Sequence, residues 1–299
     1  MQRQITQKEA GAAMLFLTAL IWGTALVSQS VAMEYMEPFT FCSARFMLSG
    51  AALVLFLALR KRIVGKESLL YRPEELREKK QNAWIGGLIC GLFLFAASAF
   101  QQFGIRTTEA GKAGFLTALY IILVPIYSIG LGKRPHVRIW IAALIALVGL
   151  YFLCIEGSFF LERGDLLCVI SAFIYPLQIL ALDRYVMRTD TVMLSCVQFW
   201  TVGLLSLVMA LMTETPRLSS LLPAGGAVLY AGVMSGAIAY TLQGVGQKRM
   251  QNPTAASLIM SLEAVFGVLA GWLLIGEALS PRKLLGCVIL FCAIVLAQL

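Results

Sequence analysis

The chain alternates between long apolar stretches and short polar breaks. Ten apolar segments, each placed to within a few residues, lie at 11–33, 38–59, 83–105, 110–131, 138–155, 165–182, 191–212, 224–246, 253–275 and 283–298. About 20 apolar residues in a helix cross the roughly 30 Å hydrocarbon core of a bilayer. Because lipid offers no partner for exposed backbone polar groups, segments of this length must be helical. The pattern predicts an all-α integral membrane protein with ten transmembrane helices.

The composition agrees with a membrane location. Of the 299 residues, 59% are hydrophobic and only 13% are charged, with a mean hydropathy of +0.82. A typical soluble domain is about 45–50% apolar and about 25% charged, so this chain has too few charges to cover a soluble surface. This excludes an ordinary soluble enzyme and a disordered or fibrous chain. The first segment, 11–33, is longer than the core of a signal peptide, so we expect it to be retained as a span.

Lysine and arginine residues favour one side of the predicted membrane. The N-terminus and the breaks after the second, fourth, sixth and eighth segments carry 17 of them, the other breaks carry six, and Arg45 lies inside a segment. Since cytoplasmic loops are enriched in Lys and Arg, we predict a multi-pass protein of the plasma membrane with both termini in the cytoplasm. The net charge of +8 has the same explanation. The basic residues lack the interleaved aromatics of a nucleic-acid surface, so no nucleic-acid partner is expected.

The two halves of the chain resemble each other, which predicts two repeats of five helices, 1–155 and 156–299. Glycine pairs that keep their order, at offsets of 153, 145 and about 144 residues, are Gly11/Gly164, Gly50/Gly203, Gly87/Gly232, Gly91/Gly236 and Gly132/Gly276. Because five is odd, the second repeat enters the membrane from the opposite side. Inverted repeats are typical of secondary transporters, which bind substrate between the copies near the midplane.

Several motifs resemble those of one family. The last 45 residues contain "SLEAVFGVLAGWLL" and "GEALS", the first segment contains "TALIWGT", and the second contains "FTFCSARFMLSGAAL". With these motifs, nearly the whole chain resembles the EamA-type branch of the drug/metabolite transporter superfamily. One difference is "GKRPH", which stands where that family usually has Gly-Glu.

The resemblance implies a ten-helix bundle that carries small organic solutes, often amino acids or other metabolites and often outward. It also implies a central cavity lined by the first, third, fourth, sixth, eighth and ninth helices. We accordingly predict a secondary transporter, an exporter of small metabolites such as amino acids, that works by alternating access. The alternative is a cation-selective carrier or exchanger for a quaternary amine or drug. A channel or a structural membrane protein is less favoured.

Polar and aromatic side chains within the spans are the candidate substrate-binding residues, because such groups are unfavourable toward lipid. They are Trp22, Gln29, Gln101, Gln102, Thr117, Tyr120, Tyr175, Gln178, Tyr240, Gln243 and Glu263. A polar and aromatic pocket would suit amino-acid-like or nucleoside-like solutes, since aromatic rings stack and hold cations. Interfacial aromatic belts and interhelical hydrogen bonds are the alternative explanation for the same residues.

Two charged residues lie deep inside predicted spans. Glu263 is either a proton carrier or cation ligand, or a structural acid within "SLEAVF" that holds a helix end or a polar partner. The resemblance favours the structural role. Arg45 is interpreted as a structural anchor that snorkels outward or pairs with Glu34 or Glu37, rather than as a ligand of a substrate carboxylate.

Prolines and glycines within the spans predict local features of the packing. Pro125 and Pro176 predict kinks in the fourth and sixth segments, because proline removes a helical hydrogen bond. Glycines four residues apart, such as Gly87 and Gly91, predict close approach of neighbouring helices.

Enzyme chemistry is not indicated by the sequence. The single histidine, His136, lies in a predicted loop, and no HExxH, GxSxG or phosphate-binding loop motif occurs. The seven cysteines lie in or beside apolar runs and form no CxxC pair, so they are interpreted as small buried hydrophobes. We expect no catalysis, cofactor or metal. The expected partners are a small-molecule substrate and the lipid bilayer, with a homodimer left open.

Overall fold

A computed structural model of the protein describes residues 2–64, 73–108, 110–155, 162–276 and 278–298. Within these ranges the chain forms helices joined by turns, and no strand occurs. In chain order the helices are α1 (Gln2–Met33), α2 (Pro38–Val64), α3 (Pro73–Ile105), α4 (Ala110–Ala118), α5 (Tyr120–Gly130), α6 (Val137–Cys154), α7 (Arg163–Val186), α8 (Thr191–Thr213), α9 (Leu221–Leu229), α10 (Thr241–Met250), α11 (Pro253–Met260), α12 (Glu263–Ile275) and α13 (Pro281–Gln298). A 3₁₀ turn, Leu218–Ser220, precedes α9, and a π-helical segment, Tyr230–Tyr240, joins α9 to α10.

Eight stretches of the described chain are long and apolar enough to cross a membrane. They are Gln7–Met33, Pro38–Arg62, Glu74–Ile105, Ala113–Gly130, Arg163–Val186, Thr191–Thr213, Leu221–Met250 and Pro253–Leu273. The other two predicted spans, 138–155 and 283–298, correspond to the helices α6 and α13. The apolar part of α6 is shorter, at Val137–Leu153, and α13 begins with Pro281 followed by two basic residues.

Two of the predicted spans are each divided into two helices. The predicted segment 110–131 is interrupted at Leu119, between α4 and α5. The predicted segment 253–275 is interrupted at Ser261 and Leu262, between α11 and α12. At both interruptions the backbone forms a 3₁₀-type turn, in which an amide bonds to the carbonyl three residues earlier instead of four. The amide of Leu119 bonds to Leu116 at 3.4 Å, and that of Leu262 bonds to Ile259 at 3.1 Å.

Proline accounts for one of these interruptions only in part. Pro125 follows Leu119 by six residues, and without an N–H it cannot bond to the carbonyl of residue 121, in the first turn of α5. Pro176, by contrast, lies inside α7, which continues without a break from Arg163 to Val186. The second interruption has no internal proline, since Pro253 stands at the start of α11.

Helices α2 and α8 cross at two glycines that the sequence comparison of the halves pairs with each other. Gly50 of α2 lies against the indole of Trp200, and Gly203 of α8 lies against Met47. A Cβ atom at Gly203 would be 2.7 Å from Cγ of Met47, and one at Gly50 would be 2.9 Å from Nε1 of Trp200. Both distances are too short for a real contact, so each glycine allows the partner helix its close approach.

Helices α6 and α13 approach each other in the same way. A Cβ atom at Gly149 of α6 would lie 2.8 Å from the backbone nitrogen of Leu290, and one at Gly286 of α13 would lie 2.6 Å from that of Leu153. These neighbours are backbone atoms, which cannot move aside as a flexible side chain does. The two helices therefore pack backbone to backbone.

Charged groups hold both ends of the α2–α8 pair. Glu214, at the end of α8, accepts hydrogen bonds from the backbone amides of Phe39 and Thr40 in the first turn of α2, both at 2.8 Å. At the other end, Arg60 of α2 forms an ion pair with Asp190 at 2.9 Å. A carboxylate at a helix N-terminus satisfies unpaired amides and complements the helix dipole.

Replacing Glu214 with alanine should destabilise the protein, because the first amides of α2 lose their acceptor. We expect the free energy of unfolding to fall by about 1–2 kcal/mol, measured by thermal or denaturant unfolding in detergent. Glu34→Ala is the matched control, since Glu34 is exposed and the structure shows no hydrogen bond or ion pair of its carboxylate to any described residue. Equal stability of the two variants would contradict the proposed capping role.

Candidate functional site

A cavity lies between the two halves of the chain. Residues of α1, α2, α3, α4, α5, α7, the π-helical segment, α10, α11 and α12 line it. Ten of the eleven predicted site residues are in its wall: Trp22, Gln29, Gln101, Thr117, Tyr120, Tyr175, Gln178, Tyr240, Gln243 and Glu263. The polar side chains scattered over the predicted spans therefore converge on one space.

Gln102 does not join the others in the cavity wall. It follows Gln101 on α3, and successive helical side chains point about 100° apart, so only one of the two can face the cavity. The side chain of Gln102 is fully buried, and neither of its amide atoms has a hydrogen-bond partner among the described residues. The expectation that Gln102 lines the same pocket is corrected accordingly.

Arg45 also lies in the cavity wall, although its sequence context favoured a structural anchor over a substrate ligand. Its guanidinium donates a 2.8 Å hydrogen bond to Oε1 of Gln29 and stands over the rings of Phe46 and Phe41, at 4.4 and 5.2 Å from their centroids. The expected pairing with Glu34 or Glu37 is wrong. Arg45 is instead a buried cation that is held by an amide and two aromatic rings.

Glu263 faces the same cavity from the first position of α12, directly after the second helix interruption. Tyr120, directly after the first interruption, donates a 3.3 Å hydrogen bond to Oε1 of Glu263. The two interrupted helices therefore meet through these side chains at the cavity wall. Within the described ranges, Glu263 forms no ion pair with Arg45 or with any other basic residue.

Aromatic and amide groups fix the shape of the wall between the two charges. The indole of Trp22 donates to the carbonyl of Ser235 at 3.1 Å, and its ring lies 4.7 Å from that of Tyr240. Tyr175 donates to Oε1 of Gln101 at 2.7 Å. These hydrogen bonds restrict the rotamers of the rings, so the aromatic surface is largely preformed.

Two amides in the wall keep unused hydrogen-bonding atoms. Neither Nε2 of Gln178 nor Oε1 of Gln243 has a partner among the described residues, although both side chains are buried. An unpaired buried polar atom is costly, and these two lie in residues that line the cavity. In the part of the chain that the structure describes, no group of three or more His, Cys, Asp or Glu residues is placed to hold a metal ion.

The comparison with known proteins identifies the family. The model of the EamA-like transporter family matches residues 9–155 and 162–299, which together are nearly the whole chain. The chain belongs to the EamA-like transporter family. The family resemblance inferred from the motifs is thereby confirmed, and the chain is a multi-pass membrane transporter.

Curated relatives of this EamA-like transporter carry transporter names without a stated substrate. An "Uncharacterized transporter" of Archaeoglobus fulgidus is 28% identical over 289 residues, which are 95% of this chain and 84% of that protein. The "Uncharacterized transporter YwfM" of Bacillus subtilis is 25% identical over 280 residues, 91% of this chain and 88% of that protein. A solved structure titled "Crystal structure of protein" matches with a TM-score of 0.74 at 21% identity and covers 97% of this chain and 96% of its own. This likeness concerns the fold alone.

The π-helical segment is a further feature of the cavity in this EamA-like transporter that the sequence did not predict. Its residues Ser235, Gly236 and Tyr240 are in the wall. A π-helix is rare and is frequently found at functional sites. The wider turn brings backbone close to α1 and α2, where Ser49 donates a 2.7 Å hydrogen bond to the carbonyl of Gly232. The glycines of this segment leave room for that approach.

Proposed function

We propose that this protein is a secondary transporter that carries a small zwitterionic metabolite, such as an amino acid, out of the cell by alternating access. The observation that carries the proposal is the presence of one guanidinium, Arg45, and one carboxylate, Glu263, in the wall of a single cavity without an ion pair between them. Arg45 can bind a substrate carboxylate and Glu263 a substrate ammonium. The aromatic residues between them can contact an apolar side chain.

Alternating access requires two arrangements of similar energy, which we attribute to two inverted five-helix repeats, 1–155 and 156–299. The family match supports this division, since its two ranges fall on either side of residue 156. The contacts between α2 and α8 support it as well, because Gly50 meets Trp200 while Gly203 meets Met47. An offset of 153 positions relates Gly50 to Gly203 and Met47 to Trp200, so the two contacts are equivalent under the proposed repeat. In this proposal α6 and α13 also cross the membrane, which gives ten spans and places both termini in the cytoplasm of a plasma-membrane protein.

A cation-selective carrier for a quaternary amine is the second candidate. Trp22, Tyr120, Tyr175 and Tyr240 line the cavity together with Glu263, and aromatic rings around a carboxylate suit such a cation. Arg45 argues against it, because a second positive charge in the same cavity would repel the amine.

Counterflow in proteoliposomes tests the proposal. A thermal-shift screen first identifies the stabilising solutes among amino acids, amines and nucleosides, because a bound ligand stabilises the fold by mass action. Vesicles loaded with an unlabelled amino acid should then accumulate the labelled amino acid from outside, in a saturable way and without ATP. Counterflow of quaternary amines alone would favour the second candidate, and non-saturable flux would favour a channel. Vesicles in which the protein orientation is controlled test the outward direction.

A further inference from the structure

We propose that an anionic phospholipid binds in an apolar groove on the outside of the bundle, between α2, α3 and α8, with its headgroup held by basic residues at one end. The groove is separate from the cavity described above and the proposal does not depend on the transported substrate. Its lining consists of Val54, Leu57, Trp84, Leu88, Leu92, Met193, Cys196, Val197, Trp200, Thr201, Leu204 and Leu205.

The body of the groove suits an acyl chain. On α3 its wall is a stripe of large exposed side chains one turn apart: Trp84, Leu88 and Leu92, with exposed fractions of 56%, 47% and 54%. The hydroxyl of Thr201 is occupied, since it donates to the carbonyl of Val197 at 2.9 Å within its own helix. The groove therefore presents methyl, methylene and ring surface along a length of several helical turns.

Basic side chains continue the same helix faces beyond one end of the groove. On α3, Lys80 precedes Trp84 by four residues and Arg77 precedes it by seven, so both lie on the face of Trp84. On α2, Lys61 follows the groove residue Leu57 by four positions, so the two residues lie on the same face of that helix. All three basic side chains are exposed. An apolar surface that ends in a cluster of basic side chains is typical of a site for an anionic lipid, because the basic side chains attract its headgroup.

The acidic residues near this end do not cancel the positive charge of that face. On α3, Glu75 lies about 180° from Trp84 and Glu78 about 120° from it around the helix axis. Glu74 is about 80° from Trp84, but it stands six residues, about 9 Å, farther along the helix from the groove than Lys80. At the start of α8, Asp190 is engaged by Arg60 in an ion pair of 2.9 Å. The face between Lys61 and Lys80 is therefore positive, one helical turn from the apolar groove.

The charge at this end favours a lipid over a second copy of the chain. Two copies in one membrane share an orientation and pair about an axis along the membrane normal. If they met through this groove, their basic ends would lie at the same level and repel each other. An anionic headgroup at that level neutralises the same charges, and its acyl chain covers the apolar surface.

Quenching of tryptophan fluorescence by brominated lipids tests the proposal, because Trp84 forms part of the groove. The full chain is reconstituted into phosphatidylcholine vesicles with a matched series of mole fractions of either brominated phosphatidylglycerol or brominated phosphatidylcholine. The contribution of Trp84 is the difference from a Trp84→Phe variant. We expect brominated phosphatidylglycerol to quench Trp84 at several-fold lower mole fraction, of the order of fivefold for each basic side chain involved.

Removal of the basic end should abolish this preference. In the triple variant Lys61→Gln/Arg77→Gln/Lys80→Gln, the two brominated lipids should quench Trp84 equally. The control Arg134→Gln/Arg184→Gln/Arg188→Gln, which removes the same charge at exposed sites elsewhere, should keep the preference. Equal quenching by both lipids in the unmodified chain would overturn the proposal. So would protection of Trp84 from both lipids together with cross-linking of two copies through the groove, which would identify a second copy as the occupant.

Discussion

Replacement of Arg45 with glutamine should raise the KM for a zwitterionic substrate by about tenfold to a hundredfold, the cost of one charge-assisted hydrogen bond. Glutamine keeps a polar group beside Gln29 but loses the charge that the proposed substrate carboxylate contacts. The effect should depend on the substrate. Uptake of an analogue that lacks the carboxylate should change little, because that analogue makes no use of the guanidinium. Counterflow with the paired analogues measures both values.

The control for Arg45 is Arg282→Gln. Arg282 also stands over aromatic rings, at 5.3 and 5.4 Å from the centroids of Tyr151 and Phe152, but it is outside the cavity wall. We expect Arg282→Gln to leave the KM unchanged, and Arg45→Lys to recover part of the lost affinity. If Arg45→Gln lowered the thermal stability and impaired every analogue equally, the residue would be a packing element and the assignment to the substrate carboxylate would fail.

Replacement of Glu263 with glutamine should produce the complementary result. The amide has the shape of the carboxylate and can still accept the hydrogen bond of Tyr120, so the junction between the two interrupted helices is kept. The negative charge is lost, and we expect the KM for a substrate with an ammonium group to rise by about tenfold or more. An analogue without the ammonium should be transported as before, as counterflow with both compounds shows.

Tyr120→Phe separates the two roles that the sequence left open for Glu263. This variant removes the hydrogen bond between the interrupted helices and keeps the carboxylate. If Glu263 is structural, Tyr120→Phe and Glu263→Gln should lower stability in parallel and leave substrate preference alone. If Glu263 binds a cation or carries a proton, only Glu263→Gln should change substrate preference or the dependence of flux on pH.

The sequence predicted much of the packing because glycine has one dominant use inside an apolar helix. Gly87 and Gly91 were predicted to allow close approach, and the structure confirms this: a Cβ atom at these positions would clash with Val197 and Thr201 of α8. The paired glycines Gly132 and Gly276 each stand just after the end of a helix. Their φ angles are positive, 77° and 72°, a conformation that other residues avoid. In both cases the lack of a side chain determines the local structure.

The helix interruptions and the neighbours of the charged residues could not be predicted in the same way. Neither Leu119 nor Leu262 is a helix breaker, yet the amide of each bonds to the carbonyl three residues earlier. Whether Gln101 or Gln102 faces the cavity depends on how α3 is rotated about its axis. The sequence does not show this rotation, because α3 has apolar residues on every face. Arg45 was assigned acidic partners on sequence proximity, but its partner, Gln29, comes from the facing helix.

The departure from the family motif at "GKRPH" also acquires an explanation from the structure. Lys133 takes the position after Gly132, and its ammonium forms an ion pair of 2.6 Å with Asp183 near the end of α7. A glutamate at this position would place two carboxylates together, which is unfavourable. The basic residue in this turn thus matches an acidic residue 50 positions later, a pairing that only the fold makes visible.

The contact between Gly149 and Gly286 has a consequence for how the gene tolerates change. Every single-nucleotide substitution that alters a glycine codon to another amino acid adds at least a Cβ atom, and at these two positions that atom meets backbone. Gly225 and Gly226, by contrast, have open space at the same point. Natural variation and random mutagenesis should therefore accumulate at the second pair and be purged at the first, although all four codons are the same kind of target.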